Sequence, residues 1–112
     1  MARTGRLTSS ADFRRTYAEG KRASASSVSA HVRATEEQRP ARIGVTAVRG
    51  MGGAVQRNRA KRRVREAVRT VRPEIKDGAD VIVVATPEAL KASFQDMVDN
   101  LRSALSQAGG CR

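Results

Sequence analysis

The chain has 112 residues, enough for one domain with a single modest core. Its formal net charge is +11 and arginine outnumbers lysine 18 to 4, which predicts a polyanionic partner. Nucleic acid is favoured because a guanidinium binds phosphate through two hydrogen bonds and stacks on bases. The lone cysteine, Cys111, excludes an intrachain disulfide, and no apolar run reaches membrane-spanning length, so we expect a cytoplasmic protein without a membrane partner.

The first elements are predicted to be a short helix and two strands. Ser9 or Ser10 can cap a helix over residues 11–19, which Gly20 is expected to end in the left-handed conformation. Alternation then predicts strands over residues 28–34 and 41–48. The polar stretch between these two strands predicts that they form a hairpin.

The segment from Arg57 to Arg72, RNRAKRRVREAVRTVR, is the most informative in the chain. It predicts a helix over about residues 55–71 that follows a glycine-rich connection. A buried stripe is expected at Ala60, Val64, Ala67, Val68 and Val71. The opposite side carries Asn58, Arg62, Arg65 and Arg69 at the same helical spacing. Because like charges one turn apart destabilise an isolated helix, this ladder indicates an anionic partner.

The last third predicts a strand and a helix. Residues 80–86 form a continuous apolar run, which is typical of a strand buried on both faces. Thr86, with a proline next to it, is expected to begin a helix that runs to about Gln107. Its apolar stripe would contain Leu90, Phe94, Met97, Val98, Leu101 and Leu105.

These elements give the order α-β-β-α-β-α in one α+β domain over residues 1–112, with flexible ends at residues 1–8 and 108–112. The second strand, the basic helix and the third strand would form a β-α-β crossover. Such crossovers are right-handed by default.

A protein active site is hard to build from these residues. His31 and Cys111 are the only histidine and thiol, and no Cys/His spacing suits zinc, so we predict no catalytic residue and no metal ligand in the protein. The glycines before the basic helix are a weak phosphate-loop signal, which Arg57 and Arg59 strengthen. Tyr17 is a candidate for stacking on single-stranded bases, whereas Phe13 is as well explained as a helix anchor.

The segment from Gly52 to Arg69 resembles the signature of the bacterial ribonuclease P protein subunit, G-N-A-V-x-R-N-R-x-K-R-x-x-R-E/Q. The chain departs from it at Gly53, where the family usually has Asn. The first helix, the stretch from Arg42 to Thr46 and the strand from Asp80 to Val84 are also similar to the family. The resemblance covers roughly residues 6–105.

The resemblance implies a cofactor of a catalytic RNA that removes the 5′ leader of precursor tRNA with Mg²⁺ held by the RNA. It implies an α-β sandwich like the second domain of a small-subunit ribosomal protein, with a left-handed crossover. The residues that it implies for contacts to the catalytic RNA are Arg57, Asn58, Arg59, Lys61, Arg62, Arg65 and Arg69. For a leader-binding cleft it implies Phe13, Tyr17, Val28, His31 and Thr46. The family usually has an aromatic residue where His31 lies.

Three other interpretations remain at this stage. A ribosomal or other structural RNA-binding protein without a processing role would share the composition. A helix-turn-helix DNA binder is disfavoured because no second helix precedes the basic helix at a tight turn. A free-standing protein nuclease is disfavoured by the lack of suitable side chains.

Overall fold

The computed structural model describes residues 5–112 and shows one four-stranded sheet with three helices. The strands are β1 (Lys21–Ala25), β2 (Val28–Arg33), β3 (Arg42–Ala47) and β4 (Asp80–Ala85), in the sheet order β1-β2-β4-β3. The helices are α1 (Ser10–Glu19), α2 (Ala54–Val71) and α3 (Phe94–Gln107). Short 3-10 turns follow α2 at Arg72–Glu74 and β4 at Pro87–Leu90. The α+β class is confirmed, and the order is α-β-β-β-α-β-α.

The strand pairing corrects two predictions. Strand β1 was not predicted, and it pairs with β2 in an antiparallel hairpin. The predicted hairpin between β2 and β3 is wrong, because β4 lies between them, antiparallel to β2 and parallel to β3. β4 is the most apolar strand, and the central position buries both of its faces. The parallel β3–β4 pair joined through α2 confirms the predicted crossover unit.

The main core lies between one sheet face and helices α2 and α3. Alternate residues of β2 and β4 point to this face and are buried: Val28, Ala30, Val32, Val81, Val83 and Ala85. The predicted stripe of α2 is confirmed, since Ala60, Val64, Ala67, Val68 and Val71 are all buried. The other sheet face carries the alternate residues, including His31 and Gly44, and α1 crosses that face.

The helix predicted from Thr86 is interrupted. Thr86 precedes the 3-10 turn, and α3 begins later, where the hydroxyl of Ser93 accepts a hydrogen bond from the amide of Asp96 at 3.1 Å. Met97, Val98, Leu101 and Leu105 are buried as predicted. The interruption leaves Phe94 at the first turn of α3 with 48% of its surface exposed, so its assignment to the core stripe is wrong.

Main-chain hydrogen bonds join both end segments to the rest of the fold, and the flexibility predicted for these segments stays a prediction. The amide of Ile43 donates to the Gly5 carbonyl at 2.9 Å, and Leu7 is buried. Near the C-terminus the amide of Lys76 donates to the Gly110 carbonyl at 2.9 Å. Residues 1–4 of the predicted flexible segment lie outside the described residues. Gly20 ends α1 with a φ of −79°, not in the left-handed conformation.

Among residues 5–112, none of the helices combines the length and the apolar character needed to span a bilayer.

Candidate nucleic-acid interface

Helix α2 presents the basic residues that the sequence analysis selected. Because its apolar stripe is buried against the sheet and α3, the opposite side faces solvent. Arg57 and Lys61 are half-buried, and the exposed members of the set are Asn58, Arg59, Arg62, Arg65 and Arg69. Arg63 is different, since it donates hydrogen bonds to the carbonyls of Ala89 and Ala92 and so fixes α2 to the 3-10 turn that follows β4.

The charge on the exposed side of α2 is almost uncompensated. Glu66 is the only acid in the helix, and its carboxylate lies 3.5 Å from Arg69. Both side chains are largely exposed, so this pair contributes little to stability or charge cancellation. The Nε atom of Arg57 is buried without a hydrogen-bond partner among the described residues. The helix face is therefore available to an external anion.

A groove with a volume of about 580 Å³ separates α2 from α1 across the edge of β3. It is lined by Arg6, Leu7, Phe13, Ile43, Gly44, Val45, Arg65, Val68, Arg69 and Arg72. Arg72 also donates to the carbonyl oxygens of Gly5 and Ala41, at 2.7 and 3.3 Å, and holds the N-terminal segment beside β3. The groove combines an apolar floor with guanidinium groups, which suits a strand of nucleic acid.

The aromatic residues of α1 lie on the sheet face opposite the main core. The ring of Phe13 rests over Gly44, where a Cβ atom would come within 2.5 Å of Cζ of the ring. Glycine at this position therefore allows α1 to lie close to β3. Tyr17 is 45% exposed and contacts the ring of His31 edge-on, with ring centroids 4.7 Å apart. Phe13 is thus mainly an anchor, and Tyr17 is the accessible aromatic ring.

The environment of the Tyr17–His31 pair shifts both pKa values. Partial burial raises the pKa of the Tyr17 phenol. Partial burial, and then the nearby charge of Arg22, lower the pKa of His31 below its usual value. His31 is therefore neutral at physiological pH, and its ring acts as a neutral aromatic group.

The strand register shows to which sheet face the remaining predicted cleft residues point. Thr46 follows Gly44 by two positions in β3, so it points to the same sheet face as His31, and it is half-buried. Val28 points to the main core and is fully buried. Val28 therefore does not line this surface, and its prediction is wrong. The structure brings Phe13, Tyr17, His31 and Thr46 to one face.

A buried ion-pair network that was not predicted from the sequence connects α1 to the sheet. Asp80, at the start of β4, is fully buried and accepts hydrogen bonds from Arg33, Arg39 and Arg42. Burial would raise the pKa of Asp80, but the hydrogen bonds and charges of Arg42 and Arg39 outweigh it and hold that pKa below its usual value. The signal in the sequence was an acid that opens an otherwise apolar strand, because a buried carboxylate requires partners.

The same network reaches α1 through two further ion pairs. Arg42 contacts Asp12 at 3.3 Å, and Arg33 contacts Glu19 at 3.0 Å. These contacts lie near the two ends of α1, with Tyr17 between them. The network therefore fixes the helix that carries the exposed aromatic ring.

The described residues contain no group of three or more His, Cys, Asp or Glu side chains that could hold a metal ion. Burial raises the pKa of the Cys111 thiol, which is half-buried beside Ile75. Asp96 and Asp99 are exposed on α3. None of these groups forms a nucleophile with a neighbouring base.

Together, the fold and the interface define a small basic α+β RNA-binding protein with a cationic helix and an aromatic sheet face. The family model for ribonuclease P matches residues 1–109. The ribonuclease P protein component of Symbiobacterium thermophilum is 36% identical over 97% of this chain and 95% of its own length. That of Chloroflexus aurantiacus is 40% identical over 96% of this chain and 80% of its own length.

The fold is also that of solved ribonuclease P proteins. The Staphylococcus aureus protein superposes with a TM-score of 0.79 at 26% identity, covering 96% of this chain and 98% of the other. The Thermotoga maritima protein superposes with a TM-score of 0.77 at 27% identity, covering 91% and 96%. The chain belongs to the ribonuclease P protein family, and its involvement in this RNA-processing endoribonuclease follows from that membership.

Proposed function

We propose that this protein is the RNA-binding subunit of a ribonuclease P ribonucleoprotein in the bacterial cytoplasm and promotes removal of the 5′ leader from precursor tRNA. Helix α2 binds the catalytic RNA through its exposed basic side. The sheet face with Tyr17, His31 and Thr46 binds the single-stranded leader. The catalytic centre and the Mg²⁺ that it requires belong to the RNA, and we assign no metal ligand to the protein.

The observation that carries this proposal is the two-sided construction of α2. One stripe is completely enclosed by the fold, while the other presents Arg59, Arg62 and Arg65 to solvent, and none of these three forms an ion pair within residues 5–112. The fold thus holds like charges about one turn apart on a rigid helix, and their repulsion is unfavourable without an anion. Structured RNA supplies phosphates in the density that such a ladder needs.

The physical contribution of the protein would be charge neutralisation and added binding surface. Both the catalytic RNA and precursor tRNA are polyanions, so their association is opposed by repulsion that Mg²⁺ or basic side chains can relieve. Each phosphate neutralised by the protein steepens the salt dependence of association by up to about one unit of log–log slope. The protein should therefore matter most at low Mg²⁺ and moderate salt.

Reconstitution tests the function directly. Precursor tRNA is incubated at low Mg²⁺ and moderate salt with a bacterial ribonuclease P RNA alone, with this protein alone, or with both. We expect accurate 5′ cleavage only when both are present. No stimulation by protein that binds the RNA would overturn the proposal in favour of a ribosomal or other structural RNA-binding role. Cleavage by the protein alone would instead indicate a protein nuclease.

The leader surface is tested with Tyr17→Ala in the reconstituted complex. Base stacking contributes on the order of 1–3 kcal/mol per base. We therefore expect weaker binding of precursor tRNA and unchanged binding of mature tRNA, which has no leader. Phe94→Ala is the matched control, because Phe94 is exposed to a similar extent but lies on α3. Equal losses for both tRNA forms would reject the assignment of Tyr17 to the leader surface.

A further inference from the structure

Two arginines beside the aromatic pair have no ion-pair or side-chain hydrogen-bond partner among the described residues. Arg14 on α1 and Arg22 on β1 are both exposed, and neither forms an ion pair within residues 5–112. The two acids of α1 form ion pairs with other arginines, Asp12 with Arg42 and Glu19 with Arg33. The charges of Arg14 and Arg22 therefore remain available to a ligand.

The register places Arg22 on the leader-binding face. Arg22 lies directly opposite His31 in the β1–β2 pair, so both side chains point to the sheet face that α1 crosses. The charge of Arg22 also acts on the His31 imidazole. Ser24, two positions further along β1, exposes a hydroxyl that lies 2.9 Å from the Ser29 hydroxyl. Beside the His31 ring there is thus a cation followed by polar hydroxyl groups.

The helical spacing places Arg14 on the other side of the pair. Arg14 precedes Tyr17 by three residues, and residues at this spacing are neighbours on a helix surface. Thr16, which is fully buried, marks the side of α1 that faces the sheet. Arg15 projects to a different side of α1 from Tyr17. The exposed Tyr17 ring therefore has one guanidinium on its own helix and another across the His31 ring.

We propose that Arg14 and Arg22 bind the phosphates on either side of the leader bases that stack on Tyr17 and His31. The inference rests on the proposed function and assigns the residues that hold the leader backbone. Bases of a single strand stack on aromatic rings, while the phosphates linking those bases need cations close to the stack. Arginine suits this role because its planar fork binds two phosphate oxygens at once.

The position of these arginines favours the leader over the catalytic RNA. Sheet order places β1 at the edge opposite β3, three strand spacings away, or roughly 14 Å. Helix α2 packs on β3 and β4, whereas β1 packs against β2 and α3. An RNA bound along α2 is therefore at the other edge of the sheet. A strand that crosses the face over His31 reaches Arg22 directly.

The test uses Arg14→Ala, Arg22→Ala and the double variant in the reconstituted ribonucleoprotein. The matched controls are Arg15→Ala and Lys21→Ala, which remove the same charge from neighbouring exposed residues. Lys21 lies opposite Val32 and so points to the other sheet face. Affinity is measured as a function of salt for precursor tRNA with a full leader and with a leader cut to one nucleotide.

With the full leader, we expect each single variant to reduce the log–log salt slope by about 0.7 and the double variant by about 1.4. The truncated leader should show no change, the controls should match the wild type, and Arg22→Lys should retain the slope. A loss that is equal for both leaders would overturn the inference, since it would place the contact on the tRNA body or the catalytic RNA. Variants indistinguishable from the controls would also overturn it. A wild-type complex without leader preference would instead refute the leader surface of the proposed function.

Discussion

Replacement of Asp80 by asparagine tests the buried network that fixes α1. Asp80 is fully buried and accepts four hydrogen bonds from three guanidinium groups at 2.9–3.2 Å. Asp80→Asn keeps the shape of the side chain but leaves these three cations without their central anion. Removing one partner of a buried ion pair costs roughly 3–5 kcal/mol.

The loss of stability caused by Asp80→Asn should lie at the low end of that range. The side chains of Arg33, Arg39 and Arg42 are 20%, 19% and 30% exposed, so water can solvate part of each released charge. We expect a loss of about 3 kcal/mol in the free energy of unfolding, or roughly 12 °C in Tm for a domain of this size. Asp77→Asn is the control, because Asp77 is largely exposed and its pair with Arg112 should contribute less than about 1 kcal/mol.

The pH dependence provides a second test. The pKa of Asp80 is lower in the folded protein than in the unfolded chain, so its contribution to stability is complete above the unfolded pKa of about 3.9. That contribution declines as the pH falls through the lower folded pKa. Urea denaturation should therefore show the wild type and Asp80→Asn converging in acid. A Tm equal to that of the wild type at neutral pH, or a difference that does not shrink in acid, would refute this account of the network.

Two further changes test the helix packing and the α2 surface. Gly44→Ala should lower the free energy of unfolding by about 1–3 kcal/mol because the added Cβ meets the Phe13 ring. Adding Phe13→Leu should recover part of the lost Tm in thermal denaturation. If Tm does not recover, the strain lies elsewhere. Arg62→Ala with Arg65→Ala should lower affinity for the catalytic RNA and reduce its salt slope by up to about two units in filter binding, with an unchanged circular dichroism spectrum. Lys91→Ala, an exposed change outside α2, is the control, and a lost helical spectrum would show that the two arginines are structural.

Local patterns in the sequence were sufficient to predict α2 and β4. The stripe of α2 repeats at the helical period over three turns, so it specifies both the helix and its buried side. β1 has no such pattern, because the strand is polar and lies at a sheet edge where its burial is slight. The pairing of β2 with β4 joins residues far apart in the sequence, and nothing local distinguishes it from a hairpin with β3.

Helical spacing correctly predicted which side of α2 is exposed, whereas the residues predicted together in the sheet lie on two different faces. Val28 and His31 differ by three positions in one strand, so alternation already places them on opposite faces. The family resemblance assigned both residues to the leader-binding cleft, although the alternation of the strand is incompatible with that assignment. Phe94 was assigned to the core because its spacing suited a continuous helix. The interruption before Ser93 changes which side chains of α3 are covered.

The distribution of acids decides which arginines can serve as an RNA surface. The chain has 11 acidic and 22 basic residues, so the acids can neutralise only part of the positive charge, and their positions determine which part. Asp80 occupies three arginines at the end of the sheet, and Glu74 binds Arg102 near the C-terminus of α3. Helix α2 has only Glu66 for its whole exposed side. The repulsion left on α2 is relieved when an anion binds, so we expect the same arginines to lower the stability of the free protein and to increase its affinity for RNA.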